Sequence, residues 1–228
     1  MPVVSAAVCP HPPLLVPEVA SGAAPELDDL REACLTAVDT LATATQVVVV
    51  GAGAVAQTYE AAAGGSFGAY GAPDVRVGSG PSVLPLSLAT GAWLLDQTKA
   101  AALPRIYHAV PTDASPADCV RRGREIAQGN DRIGLLVMGD GSARRSEHSP
   151  VHLHPRAEIF DATVANALQH RDLDVLAALD PDLATELQAA GRAPWQVLAG
   201  ALAGTTLTGD LTYHAAPYGV GYFVASFT

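Results

Sequence analysis

Short apolar segments recur along this chain, separated mostly by stretches in which apolar residues follow helical spacing. The clearest are residues 46–50 and 132–138, which are apolar after their first residues, Gln46 and Arg132, and are too short to be independent helices. Val3–Cys9 and residues 105–110 have the same character and also predict strands. Continuous apolar strands are typical of a sheet that is covered on both faces. The alternation of such strands with helices predicts the α/β fold class.

The predicted helices are marked by apolar periodicity and by capping residues. Residues 26–44 carry an apolar stripe at helical spacing. Ser115 is placed to cap a helix that runs to residue 128, and Asp180 is placed to cap another over residues 181–190. Further helices are predicted at residues 88–101, 156–170, 172–179 and 193–203.

Three segments lead to less regular expectations. Residues 51–80 are rich in glycine and alanine, and we interpret them as a helix fragment plus a long loop. Residues 82–88 predict a strand, and residues 219–227 predict a terminal strand. Because no shift in composition and no internal repeat divides the sequence, residues 1–228 are expected to form one domain.

Composition narrows the classes of function. The chain has 228 residues, of which 49% are hydrophobic and 16% charged, so it can form a core and does not resemble a disordered protein. Its net charge of −10 repels phosphate backbones, which argues against nucleic-acid binding. No apolar run reaches the roughly 20 residues that span a bilayer, and the first residues lack a basic signal-peptide segment. We therefore expect a cytoplasmic protein that is not bound to a membrane.

The three cysteines, Cys9, Cys34 and Cys119, are odd in number and far apart, so neither a disulfide framework nor a zinc ribbon is predicted. Cys9 and His11 are two residues apart and would face the same side of an extended chain. Such a pair could bind a soft metal or form a thiolate. The alternative is that Cys9 is buried and inert.

The loop at residues 139–155 carries most of the side chains that are suited to chemistry. A loop this long, leaving the end of an α/β strand, usually lines a site. Its candidate pocket residues are Asp140, Ser142, His148, His152 and His154.

Four other polar residues have two open interpretations. Arg144 and Arg145 could bind a carboxylate or phosphate of a ligand, or form an ordinary surface pair. His108 and His214 could face the pocket, or could be structural histidines with internal partners.

Gly51 and Gly53 follow a predicted strand in a G-x-G-x-x-A pattern that also occurs in dinucleotide-binding folds. That pattern requires an acidic residue at the end of the next strand. The available residue, Asp74, precedes its apolar segment instead of following it. Nucleotide binding is therefore the weakest of the functions considered, and a buried strand that turns through small residues is the simpler interpretation.

Four segments together resemble a known family. They are residues 11–18 (HPPLLVPE), residues 138–142 (MGDGS) with Phe160 and Asp161, residues 191–195 (GRAPW) and residues 217–222 (PYGVGY). Their order and spacing resemble the B subunit of class III extradiol ring-cleavage dioxygenases, the LigB type, and the related Memo-like proteins. The resemblance covers nearly the whole chain. It implies a single-domain α/β/α sandwich, with a central mixed sheet flanked by helices and a site at one end of the sheet.

Active members of that family hold Fe(II) through two histidines and a carboxylate, which leaves coordination positions for a catechol and O2. The first iron histidine falls on His11. The second falls within residues 51–53, which contain no histidine; the acid/base histidine falls on Ala143; and the last ligand falls on Ala190. The resemblance therefore implies the fold together with a degenerate iron site.

Two main hypotheses follow. In the first, the chain is a divergent LigB-type protein without a required cofactor, and its pocket binds a small ligand or a protein partner. This hypothesis is compatible with a homo-oligomer. In the second, it is a non-haem oxygenase or hydrolase that binds Fe(II) or another divalent metal. The metal ligands would then be His11, one or more histidines of the 139–155 loop, and Glu147 or Glu158. Two further ligand atoms within about 5 Å of His11 would favour the second hypothesis.

Overall fold

The structure is a computed structural model that describes residues 3–129 and 131–228. The described strands are, in chain order, β1 Val3–Cys9, β2 Gln46–Gly53, β3 Gln57–Tyr59, β4 Gly65–Phe67, β5 Ala72–Val77, β6 Arg105–Pro111, β7 Ile133–Met138, β8 Gly209–Ala215 and β9 Tyr222–Phe227. The described α-helices are α1 Pro17–Ala20, α2 Asp28–Asp39, α3 Leu86–Leu95, α4 Pro116–Ile126, α5 Ala157–His170, α6 Leu173–Ala177, α7 Pro181–Glu186 and α8 Arg192–Leu202. Short 3-10 turns occur at Pro13–Leu15, Ser21–Leu27, Thr40–Thr43, Gly68–Tyr70 and Lys99–Ala102.

Seven strands form the central sheet in the order β3-β6-β2-β7-β1-β9-β8. Four adjacent strands, β6, β2, β7 and β1, pair in parallel, whereas β3 and β9 pair antiparallel to their neighbours β6 and β1. β4 and β5 form a separate hairpin. The mixed sheet has helices on both faces, which confirms the predicted α/β/α sandwich.

The core lies on both faces of the sheet because side chains alternate along each buried strand. In β7, Leu135 and Val137 pack into the cluster that contains α4, α5 and α8. Leu136 and Met138 pack into the opposite cluster, which contains α2 and α3. All six residues of β7 are buried. A strand buried on both sides has no polar face, which explains why this segment is uniformly apolar in the sequence.

Both predicted helix caps are confirmed. The Ser115 hydroxyl accepts the backbone N–H of Asp118 at 3.1 Å, at the start of α4. The Asp180 carboxylate accepts the backbone N–H of Asp182 at 2.9 Å, at the start of α7. The helix after Asp180 is shorter than predicted, since it ends at Glu186.

Two expectations are wrong, and one strand was missed. Residues 51–80 contain no α-helix: β2 continues to Gly53, and the strands β3, β4 and β5 follow. The strand expected at residues 82–88 is absent: Pro85, which has no N–H to donate to a sheet, is the N-cap residue of α3, and the helix begins at Leu86. The edge strand β8 was not predicted, although its exposure alternates along the strand.

None of the described helices combines the length and the apolar character needed to cross a membrane.

Candidate functional site

The candidate site lies where the parallel strands β1, β2 and β7 end. The next α-helix in the chain after β2 is α3, on one face of the sheet, and the next after β7 is α5, on the opposite face. Loops that diverge in this way open a crevice at the carboxyl ends of parallel strands, which is where α/β proteins usually bind ligands. His11 follows β1 at this edge, and Asp140 follows β7.

His11 and Asp140 are in direct contact. The backbone N–H of His11 donates to Oδ1 of Asp140 at 2.7 Å. The same oxygen lies 3.5 Å from Nδ1 of the His11 ring, and Nδ1 makes no hydrogen bond within the described structure. The histidine is 8% exposed. The edge therefore presents a buried imidazole nitrogen without a partner, next to a carboxylate.

Tyr222, on the neighbouring strand β9, is buried beside this pair. Burial, with a smaller contribution from the charge of Asp140, raises the pKa of Tyr222 well above its ordinary value. Tyr222 is therefore a neutral phenol at physiological pH. Sequence analysis did not select this residue, although the tail segment that contains it belongs to the family resemblance.

Two free cysteines lie close to the site. Cys9 and Cys34 are fully buried, and the Cys9 thiol points to the carbonyl oxygen of Cys34 at 4.0 Å. Burial raises the pKa of Cys34, and the neighbouring Cys9 thiol raises it further. Cys34 therefore stays a neutral thiol. Since Cys9 is also fully buried, the structure supports the interpretation of an inert thiol at this position.

The end of β2 leaves little space for a metal ligand. A Cβ atom at Gly51 would lie 2.5 Å from Oγ of Ser87 and 2.8 Å from its Cβ. Ser87 is held there by a hydrogen bond from its hydroxyl to the carbonyl of Ala52 at 2.6 Å. Gly51 and Gly53 also pair with β6 as part of a continuous strand. The tight turn and following helix that a dinucleotide site requires do not form here.

Ser142 is fully buried, and both capacities of its hydroxyl are used. The hydroxyl donates to the carbonyl of Leu187 at 3.2 Å and accepts the backbone N–H of Arg144 at 3.1 Å. It therefore anchors the 139–155 loop to the segment after α7.

Arg145 belongs to the same loop and bonds to a buried carboxylate. Its Nη1 donates to Oδ2 of Asp161 at 2.8 Å, while Oδ1 of Asp161 accepts the backbone N–H of Ser142 at 2.9 Å. Asp161 is fully buried, and burial raises its pKa, while the Ser142 N–H and Arg145 partly oppose that rise. Arg145 is thus an internal partner of Asp161.

Arg144 is also used internally. Its Nε donates to the carbonyl of His152 at 3.0 Å, and its Nη1 donates to the carbonyl of Glu186 at 2.9 Å. The first bond joins the two halves of the 139–155 loop, and the second attaches the loop to the end of α7.

The loop histidines are not gathered around His11. His154 bonds through Nε2 to Glu186 at 2.9 Å, and His148 and His152 are exposed. Glu147 and Glu158 are exposed as well. Across residues 3–129 and 131–228, no group of three or more His, Cys, Asp or Glu side chains is arranged to hold a metal ion.

The other two candidate histidines also have internal neighbours. Nδ1 of His108 contacts Oγ1 of Thr58 at 2.9 Å and Nη2 of Arg122 at 3.0 Å, towards α4. The ring of His214 stacks on Phe223 with a centroid distance of 4.9 Å.

Comparison with known proteins gives a fold but no function. No family model matches the chain. Protein CA_C1420 of Clostridium acetobutylicum is 25% identical over 94% of this chain and 55% of its own length, so the chain spans about half of that curated relative. The crystal structure of the uncharacterized protein JW3007 from Escherichia coli K12 is similar over 98% of this chain and 99% of that one, with a TM-score of 0.58 and 15% identity. At that identity, the likeness shows a shared fold alone.

Proposed function

We propose that this chain is a divergent protein of the class III extradiol dioxygenase B-subunit type, and that it binds a small ligand or a protein partner without catalysing ring cleavage. The site would be the edge formed by His11 and Asp140. The observation that carries the proposal is the set of donor atoms at this edge, which includes one imidazole and one carboxylate and does not complete an iron site.

The donor set does not fit non-haem iron in the way that the family resemblance implies. A facial triad needs three protein ligands that converge on one face of the ion. A side chain at Gly51 would collide with Ser87. Ala143 and Ala190 occupy two further positions of the family pattern, and a methyl group can neither bind a metal nor transfer a proton.

The same edge is suited to binding a polar group. Nδ1 of His11 is buried without a partner, and leaving a buried polar atom unpaired costs about 1–3 kcal/mol. A ligand that hydrogen-bonds to this nitrogen and to Asp140 would remove that cost. The neutral phenol of Tyr222 adds an apolar ring with a polar tip beside them.

Metal content tests the proposal most directly. The protein is purified anaerobically, offered Fe(II), Mn(II) and Zn(II) in turn, freed of excess metal and analysed for bound metal per chain. We expect the same trace amount in the wild type and in His11→Ala. About one equivalent of metal in the wild type, lost in His11→Ala, would contradict the proposal.

One observation favours the alternative of a metal-dependent oxygenase or hydrolase. Nδ1 of His11 and Oδ1 of Asp140 are 3.5 Å apart, so both could bind one ion with small movements. A third ligand would have to come from the histidines of the 139–155 loop after a rearrangement. Oxygen uptake with catechol substrates, in the presence of Fe(II), tests the oxygenase form of this alternative, because neither the binding protein proposed above nor a hydrolase consumes oxygen.

A further inference from the structure

A second cavity lies outside the His11 edge, between β3, the end of β6 and α4. Its volume is about 320 Å³. Val110, Ala114 and Cys119 contribute apolar surface, while Thr58 and Arg122 contribute polar groups. An apolar pocket with a few polar groups at the carboxyl end of a parallel strand is a common form of small-molecule site.

Arg122 is held in a defined orientation within this cavity. Its Nη2 lies 3.0 Å from Nδ1 of His108 and 3.2 Å from Oγ1 of Thr58, and its Nη1 lies 3.3 Å from Glu125. A guanidinium group can only donate hydrogen bonds, so Nδ1 of His108 accepts and the imidazole is neutral. Burial, and secondly the charge of Arg122, lowers the pKa of His108 to about 4, which agrees with this assignment. His108 therefore orients Arg122 without adding a charge.

The charges that line the cavity are balanced in pairs. Arg121 forms an ion pair with Asp118 at 2.6 Å, and Arg122 forms the longer contact with Glu125. All four side chains line the cavity. The lining residues alone would therefore give neither anions nor cations an advantage.

An additional positive charge lies behind the floor of the cavity. Arg192 is 1% exposed, and its hydrogen-bond partners are all neutral: the carbonyls of Thr112 and Ala114 and the side chain of Gln196. Arg192 also lies close to Cys119. Burial raises the pKa of the Cys119 thiol, and the positive charge of Arg192 opposes that rise. Buried charges are normally paired with an opposite charge. Because the hydrogen-bond partners of Arg192 are neutral, its charge adds a net positive charge next to the cavity, in a chain of net charge −10.

We propose that this cavity binds a small organic anion, a carboxylate carried on an apolar body such as an aromatic ring. The carboxylate would bond to Arg122 at the rim, and the ring would cover the floor formed by Val110, Ala114 and Cys119. Arginine favours this ligand because its planar group matches a carboxylate and makes charge-assisted hydrogen bonds. The volume suits one ring with a short acidic side chain.

Isothermal titration calorimetry with benzoate and phenylacetate tests the proposal, and benzamide serves as the neutral analogue. Both acids should bind the wild-type chain, and benzamide should bind at least about tenfold more weakly. Arg122→Met should weaken the binding of benzoate by about tenfold or more. Arg124→Gln is the matched control on the same helix, since Arg124 is exposed and outside this cavity, and should retain wild-type binding.

Two further variants keep the test decisive if Arg122→Met fails to fold. Ala114→Leu fills the cavity without changing its charge, and should abolish the binding of benzoate. His11→Ala should leave it unchanged, because His11 does not line this cavity, so failure here is separable from failure of the proposed function. The proposal is overturned if neither acid binds, if benzamide binds as well as benzoate, or if His11→Ala rather than Ala114→Leu removes binding.

Discussion

Asp140 holds His11 through one carboxylate oxygen, which accepts the backbone N–H of His11 at 2.7 Å and lies 3.5 Å from its Nδ1. The two residues follow β1 and β7, which are neighbours in the sheet. This contact therefore connects the ends of two adjacent strands and fixes the position of the imidazole at the candidate site.

Removing the carboxylate should destabilise the strand ends. Asp140→Ala leaves the N–H of His11 without its acceptor in a largely buried setting, and we expect a loss of about 1–2 kcal/mol in the free energy of unfolding. Asp140→Asn keeps an acceptor oxygen and should lose less. Urea denaturation measures both variants. Asp113→Ala, at an exposed position, is the control, and an equal loss in Asp113→Ala and Asp140→Ala would contradict the structural role.

The buried pair of Arg145 and Asp161 should control the stability of the 139–155 loop. Arg145→Met leaves the fully buried carboxylate of Asp161 without its cation, at a cost of about 3 kcal/mol at pH 7. Urea denaturation at several pH values measures that cost. The pKa of Asp161 is raised in the folded chain, so folding favours its protonated form. The cost of ionising Asp161 to the free energy of unfolding therefore grows as the pH rises from the pKa of Asp161 in the unfolded chain through its higher pKa in the folded chain.

The cost of Arg145→Met should accordingly shrink as the pH falls through the raised pKa of Asp161, because the buried carboxyl then becomes protonated and needs no cation. The control is the double variant Arg145→Met with Asp161→Asn, in which no charge is left unpaired. It should be more stable than Arg145→Met at pH 7. A cost that is independent of pH would mean that the loss comes from packing of the Arg145 side chain and not from the ion pair.

Much of the fold could be predicted because the central strands are buried on both faces. Apart from Gln46 and Arg132 at their first positions, the segments at residues 46–50 and 132–138 are apolar, and they form two adjacent strands of the sheet. The edge strand β8 could not be found in the same way. It contacts the core on one face only, and its alternating residues follow a predominantly helical region.

The candidate site was only partly predictable, because contacts between distant segments decide which polar residues are free. Asp140 and His11 are 129 positions apart in sequence, and their contact depends on the pairing of β1 with β7. Arg145 resembles a ligand-binding residue in sequence, but its partner is Asp161. No local pattern distinguishes a buried ion pair from a free arginine on a loop.

Close packing at the start of α8 predicts a strong effect of one added methyl group. A Cβ atom at Gly191 would collide with the indole of Trp195, which is fully buried and in edge contact with Phe223. Gly191→Ala should therefore destabilise the chain by about 1–3 kcal/mol. Gly22→Ala is the control, because a Cβ atom there meets nothing within 4 Å, and its effect should stay within about 0.5 kcal/mol. Equal thermal unfolding of the two variants would contradict this packing.

His108 should make stability depend on pH in the acid range. Burial and then Arg122 lower its pKa to about 4 from an ordinary value of 6.5, so the unfolded chain binds a proton first as the pH falls. The contribution of neutral His108 to stability is complete above pH 6.5 and is lost as the pH falls through about 4. We expect a loss of about 2 kcal/mol in the free energy of unfolding, which is less than the full pKa shift implies, because the ring is partly exposed.

The variant His108→Gln tests this expectation, because its side chain still accepts a hydrogen bond from Arg122 but does not titrate. Urea denaturation between pH 7 and pH 4 should show the wild type losing more stability than this variant. If stability falls equally with pH in the wild type and in His108→Gln, the pKa of His108 is the same in the folded and unfolded chains. That result would contradict the contact between Arg122 and a neutral imidazole.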